Sequence, residues 1–223
     1  MDGNILVAGA TGRTGRLIVE GLRQLGFKPN VIVRDVEKAK KLLGDDILYY
    51  QGDVREFDSL LEPMTGVDVV ISAIGSRSPV GKNCPKHVDY EGVSNLVRAA
   101  RMKGVSRFIL ISSIAVTNNK HPMNCFGQVL EWKYKGEMSL RESGLDYVII
   151  RPGGLTNAFD EEEKLHIDQG DHLSGMVSRD AIASLVLYAL KNPQPSQVSF
   201  EVVAADQPEE NNWPQGYASL SPD

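Results

Sequence analysis

Short, uninterrupted apolar runs recur along this chain. Between them lie stretches whose apolar residues return every three or four positions. The runs ILVA, VIV, VDVVISA, FILIS and YVIIR are too short for buried helices and rich in β-branched residues, which predicts strands covered on both faces. Strands are expected at Asn4–Ala8, Asn30–Val33, Ile47–Gln51, Val67–Ala73, Arg107–Ser112, Tyr147–Arg151 and Val198–Val203. Helices are expected at Gly12–Leu25, where Leu17, Ile18, Leu22 and Leu25 form one stripe, and at His87–Lys103, where Val93, Leu96, Val97 and Ala100 do the same. Phe126–Glu142 and Arg179–Lys191 complete the set. Strand followed by helix, repeated, predicts an α/β fold: a doubly wound, Rossmann-like parallel sheet in a single domain over residues 1–205.

Two polar stretches break this rhythm, Gly75–Pro85 and Leu155–Leu173, the second carrying the acidic run DEEEK. Both follow strand carboxyl ends, where open α/β sheets place ligands, so both are candidate substrate loops. The acidic run reads equally as a solvated face. Residues 206–223 read as a tail rather than a folded element, and the sequence leaves open whether its aromatics Trp213 and Tyr217 dock on the body or on a partner.

Bulk properties narrow the choices. A net charge of −5 and a sequence pI near 5.5 speak against nucleic acid or an anionic membrane as partner. No run of 18 apolar residues suggests a membrane span. Cys84 and Cys125 lack metal-site spacing, and His87, His121, His166 and His172 form no ligand motif, so no metal is expected. The start MDGNILVAGATG is already strand-like, so no targeting peptide is read and a cytoplasmic location is expected.

The strongest chemical signal is Gly9-Ala10-Thr11-Gly12-Arg13-Thr14-Gly15, which directly follows a strand and opens a helix. Gly9 permits the tight turn, Gly12 lets the backbone approach a pyrophosphate, and Gly15 allows close helix–strand packing. The helix amino end then offers free N–H groups and a favourable dipole to phosphate. The second strand runs into Arg34-Asp35. An arginine there suits a 2′-phosphate and an acid suits a ribose hydroxyl. Arg34, with Arg13 in reach, therefore favours NADP(H) over NAD(H), while Asp35 keeps the second open.

In order, GATGRTGR, VIVRD, GDVRE, SAIGS, ILISSIAV and SGLDYVIIRPGGL resemble the atypical short-chain dehydrogenase/reductases over roughly residues 3–205. Within them the chain is most similar to the compact NAD(P)H-binding subgroup, which includes biliverdin reductase B, a flavin reductase, and plastid and cyanobacterial NAD(P)-binding proteins. The resemblance implies roles by position. Asp53 and Val54 would border the adenine, and Ala73, Ile74 and Gly75 the nicotinamide side. Ser113 would be the active-site serine, with Ser112 beside it. Lys133 would hydrogen-bond the nicotinamide ribose, and Pro152, Gly153, Gly154 and Leu155 would close over the ring. Read without the resemblance, Ser113 equally satisfies local backbone and Lys133 is equally a surface lysine.

One departure matters. The family's acid is a tyrosine four residues before that lysine, where this chain has Val129, and no tyrosine here has a lysine four positions later. Alcohol–ketone chemistry and nucleotide-sugar epimerisation lose their proton donor. The expectation is therefore an NADPH-dependent reductase of a planar conjugated acceptor (flavin, quinone or bilin), which can take its proton from solvent. The alternative is a non-catalytic redox sensor or assembly factor that binds a protein partner.

Overall fold

Each apolar run becomes a strand because both of its faces are covered. The computed structural model describes residues 3–158, 163–207 and 211–223. Eight strands among them form one sheet: β1 (Ile5–Ala8), β2 (Asn30–Val33), β3 (Leu48–Gln51), β4 (Val69–Ser72), β5 (Arg107–Ile111), β6 (Asp146–Pro152), β8 (Leu165–Asp168) and β10 (Val198–Ala204). Their order is β3-β2-β1-β4-β5-β6-β10-β8, parallel throughout except for β8, which runs antiparallel to β10. Beside it β7 (Gly154–Thr156) pairs with β9 (Met176–Ser178). This is the Rossmann-like, doubly wound sheet expected from the sequence.

Alternate residues feed two cores. Ile5 and Val7 of β1 join α1 (Arg13–Gln24), α2 (Val36–Leu43) and α5 (Arg179–Lys191) on one face. Leu6 and Ala8 join α3 (Val93–Lys103) and Leu140 of α4 (Val129–Arg141) on the other. Strand order reverses between β1 and β4, which leaves a crevice beyond their carboxyl ends.

Three expectations change. The helix α2 went unpredicted, although Asp35 caps it by accepting the Lys38 N–H at 2.9 Å. The Leu155–Leu173 stretch is not one loop, because Leu165–Asp168 forms the edge strand β8. Asp160, Glu161 and Glu162 of its acidic run lie outside the described residues. The expected tail is built in from residue 211 onward. Asn212 exchanges side-chain hydrogen bonds with the Ile167 backbone, donating at 2.7 Å and accepting at 2.9 Å, which covers the free edge of β8. Tyr217, in the short α6 (Gln215–Ala218), is buried against Phe200, and Trp213 packs edge-on to Tyr188. The aromatics supply enough apolar area to hold a polar segment down.

Candidate functional site

The glycine turn sets the geometry. Gly9 has φ +84°, and the Gly12 N–H closes the turn on the Gly9 carbonyl at 2.9 Å. A Cβ on Gly15 would sit 2.2 Å from the Gly9 oxygen, so only glycine lets α1 start this close to the turn. Gly12 offers no side chain to cap α1, which leaves its first amide N–H groups for an anion. Above them opens a cleft of about 210 Å³. Gly9, Thr11 and Gly12 form its floor, Arg34, Asp53, Val54 and Arg55 one end, and Ala73, Ile74 and Gly75 the other. An uncapped helix end, a glycine floor and guanidinium groups at one end are a donor set that fits a dinucleotide.

At the β2 end the charges are ordered. Arg55 grips Asp53 with Nε at 2.9 Å and Nη2 at 2.5 Å. These side-chain hydrogen bonds outweigh burial and hold the Asp53 carboxyl below its usual range. Arg34 donates to Asn83 at 3.0 Å from across the cleft. Asp35 is spent as the α2 cap rather than turned into the cleft. Arg55 and Asn83 are additions to the expected set. The GDVRE motif carried the arginine in plain view, but nothing local showed that it faces inward.

At the other end, Ile74 links the cleft to a small cavity shared by Asp89, Ser112 and Lys133. Lys133 Nζ lies 2.8 Å from the Asp89 carboxylate. The Ser112 hydroxyl is buried there without a hydrogen-bond partner. Ser113 lines neither space. Successive residues of extended chain face opposite sides, and Ser112 follows Phe108 and Leu110 toward the α3–α4 face where Lys133 lies. Val129 is buried with Val116 and Leu130, so an apolar cluster stands where the family's phenol would be. No tyrosine lines either space.

Other expected residues lie around this core. Thr14 lines neither space. Arg13 faces a separate cavity of about 600 Å³ outside α1, with Arg16, Arg23 and Arg179. Burial, and then the charge of Arg13, depress the basicity of Arg179. Pro152–Leu155 form the bend from β6 into β7, with the Pro152 carbonyl accepting the Ile114 N–H at 3.0 Å and Gly153 pressed on Gly175. They line neither space. His121 caps a turn at Met123, and His166 sits on β8. Among the described residues no cluster of His, Cys, Asp or Glu could hold a metal, and no helix is long and apolar enough to cross a membrane.

The family model described as NAD(P)H-binding matches residues 9–193, from the glycine turn to the end of α5. The chain belongs to the NAD(P)H-binding family. An uncharacterized chloroplastic protein of Arabidopsis thaliana is 36% identical over 97% of this chain and 82% of its own length. Protein TIC 62, chloroplastic, of the same plant is 32% identical over 91% of this chain but only 36% of its own length. Sanguinarine reductase of Eschscholzia californica is 27% identical over 89% of this chain and 88% of its own. Among solved structures, a putative NAD-dependent epimerase/dehydratase from Bacillus halodurans superposes with TM-score 0.82 at 25% identity, covering 92% of this chain and 96% of that one. Reductases are thus among this chain's relatives. The cytoplasmic expectation is overturned, because the relatives sharing 30% identity or more include several chloroplastic proteins. A strand-like start proved no guide to compartment.

Proposed function

We propose that this protein is an NADPH-dependent reductase of a planar conjugated acceptor, a flavin, quinone or bilin. The observation that carries this reading is a dinucleotide cleft and adjoining cavity lined by no tyrosine, with the position of the family's phenol taken by Val129, buried with Val116 and Leu130. When bound, the reduced nicotinamide supplies a hydride. The chain's own residues bind and orient. Arg34 and Arg55 would meet the 2′-phosphate, the α1 amides would hold the pyrophosphate, and Lys133 with Ser112 would meet oxygen atoms at the nicotinamide end. Acceptors of this class need no protein acid, which suits a site without tyrosine. The chloroplastic relatives favour a plastid setting.

The test is NADPH oxidation by the purified protein with FMN, a quinone and a bilin in turn. Turnover with at least one is expected, and Ser112→Ala should lower it more than Ser113→Ala. No turnover with any of them sinks the reading. The non-catalytic alternative draws on the similarity to TIC 62 and on the missing tyrosine. It expects a protein partner captured differently with NADPH and with NADP+.

A further inference from the structure

Asp89 is sealed inside the protein, its side chain 1% exposed, and binding of a dinucleotide alone does not call for it. It lies on the π-helical turn Lys86–Gly92 that leads into α3. One carboxylate oxygen accepts the Ser76 N–H at 3.1 Å, and the other faces Lys133 Nζ at 2.8 Å. Its backbone is fixed as well. A Cβ on Gly136 of α4 would sit 2.5 Å from the Asp89 carbonyl, so the turn and α4 touch through a position only glycine fills. One carboxylate therefore joins the cleft rim, through Ser76, to the lysine of the catalytic end.

A buried carboxylate is costly unless paired, and so is a lysine drawn into the same space. Each fixes the other. An ammonium has three N–H donors. The Asp89 oxygen facing Lys133 is an ion-pair partner at 2.8 Å and accepts no aligned hydrogen bond, so the ammonium keeps donors for the cavity that Lys133 shares with the unpartnered Ser112 hydroxyl.

We propose that Asp89 is a positioning residue that latches Lys133 to the Ser76 rim, so that Lys133 and Ser112 form a two-donor seat for one ligand oxygen, a carbonyl or a hydroxyl. The identity of that ligand rests on the reductase reading; the latch does not. It makes rim and lysine one unit, so that a nucleotide settling under Ser76 meets a lysine already in place.

Asp89→Asn tests this, since it keeps the shape and removes the charge. Three readouts are expected to move. Acetic anhydride labelling of Lys133 in the ligand-free protein, read by mass spectrometry, rises several-fold. The Kd for NADPH weakens several-fold. With an acceptor that turns over, kcat falls more than KM rises. A carboxylate with only a structural role would lower the melting temperature while leaving Lys133 labelling in the folded protein unchanged. Wild-type labelling together with wild-type NADPH affinity overturns the proposal. If no acceptor turns over, the reductase reading fails, and the labelling and binding measurements still decide the latch. If Asp89→Asn does not fold, Lys133→Met is read by hydrogen exchange at the Ser76 amide. Faster exchange than wild type supports the latch, and unchanged exchange overturns it.

Discussion

The β1–β2–β4 and β5–β6–β10 parts of the sheet are built by different means. Where β1, β2 and β4 end, the protein presents backbone: a glycine turn, uncapped amides at α1, and arginines at the rim. Beyond β5 and β6 it presents buried side-chain charge. Glu137, wholly buried on α4, accepts Arg151 of β6 at 2.7 and 3.1 Å and Arg141 at 3.1 Å. Glu201 of β10 accepts the backbone N–H groups of Asp171 and Leu173, and Asp171 in turn holds the N–H groups of Ala115 and Thr117 at 2.6 and 2.8 Å. The first offers main-chain donors, with arginine side chains at its rim. The second is locked by carboxylates: Glu137 holds two arginines, and Glu201 and Asp171 hold backbone amides of distant segments.

The comparison breaks most visibly at Glu137. Removing it leaves Arg151, its side chain 7% exposed, as a buried cation without its bidentate partner. Truncating one member of such a pair costs about 3–5 kcal/mol. Glu137→Ala should lose that much stability in urea unfolding, while the protein that remains folded binds NADPH as before. If affinity falls in step with stability, the two parts are not separable.

Arg34→Glu acts in the other part and is expected to be smaller. A charge-assisted contact is worth ~1.5–3 kcal/mol, so NADPH affinity should fall about ten-fold or more. NADH affinity should barely move, and the melting temperature should stay near wild type because Arg34 is exposed. Equal losses for both nucleotides would remove the 2′-phosphate assignment.

The backbone-built part was the legible one. A glycine turn between a strand and a helix is written in consecutive residues, and ILVA or FILIS need only neighbours to declare themselves. The charge-locked part was mostly hidden. Asp89 reads as an ordinary acid in HVDYEG, because its burial depends on α4 and on Ser76. Glu137 and Arg151 are likewise paired only by the packing of α4 on β6. Ser112 against Ser113 turned on strand direction, which a one-residue shift inverts. The segment from residue 211 was misjudged because polar composition gives no hint that Asn212 will pair with β8. The helix α2 was readable after all, since Asp35 and Gly44 bracket it as start and stop.

That bracket gives the finest test of the comparison. Asp35 stands next to Arg34, where an acid would ordinarily favour NADH by holding the ribose hydroxyls. Here its carboxylate accepts the Lys38 N–H, and the residue lines no part of the cleft. If capping is its whole role, Asp35→Ala removes one helix cap and costs about 0.5–2 kcal/mol of stability. Affinity for NADH and for NADPH should then stay in the wild-type ratio. Asp35→Asn, which still caps, should recover most of the lost stability. A selective loss of NADH binding in the alanine variant would show the carboxylate turning toward the ribose when NADH is present. The β2 end would then read both nucleotides through side chains, and its contrast with the charge-locked part would narrow to the glycine turn alone.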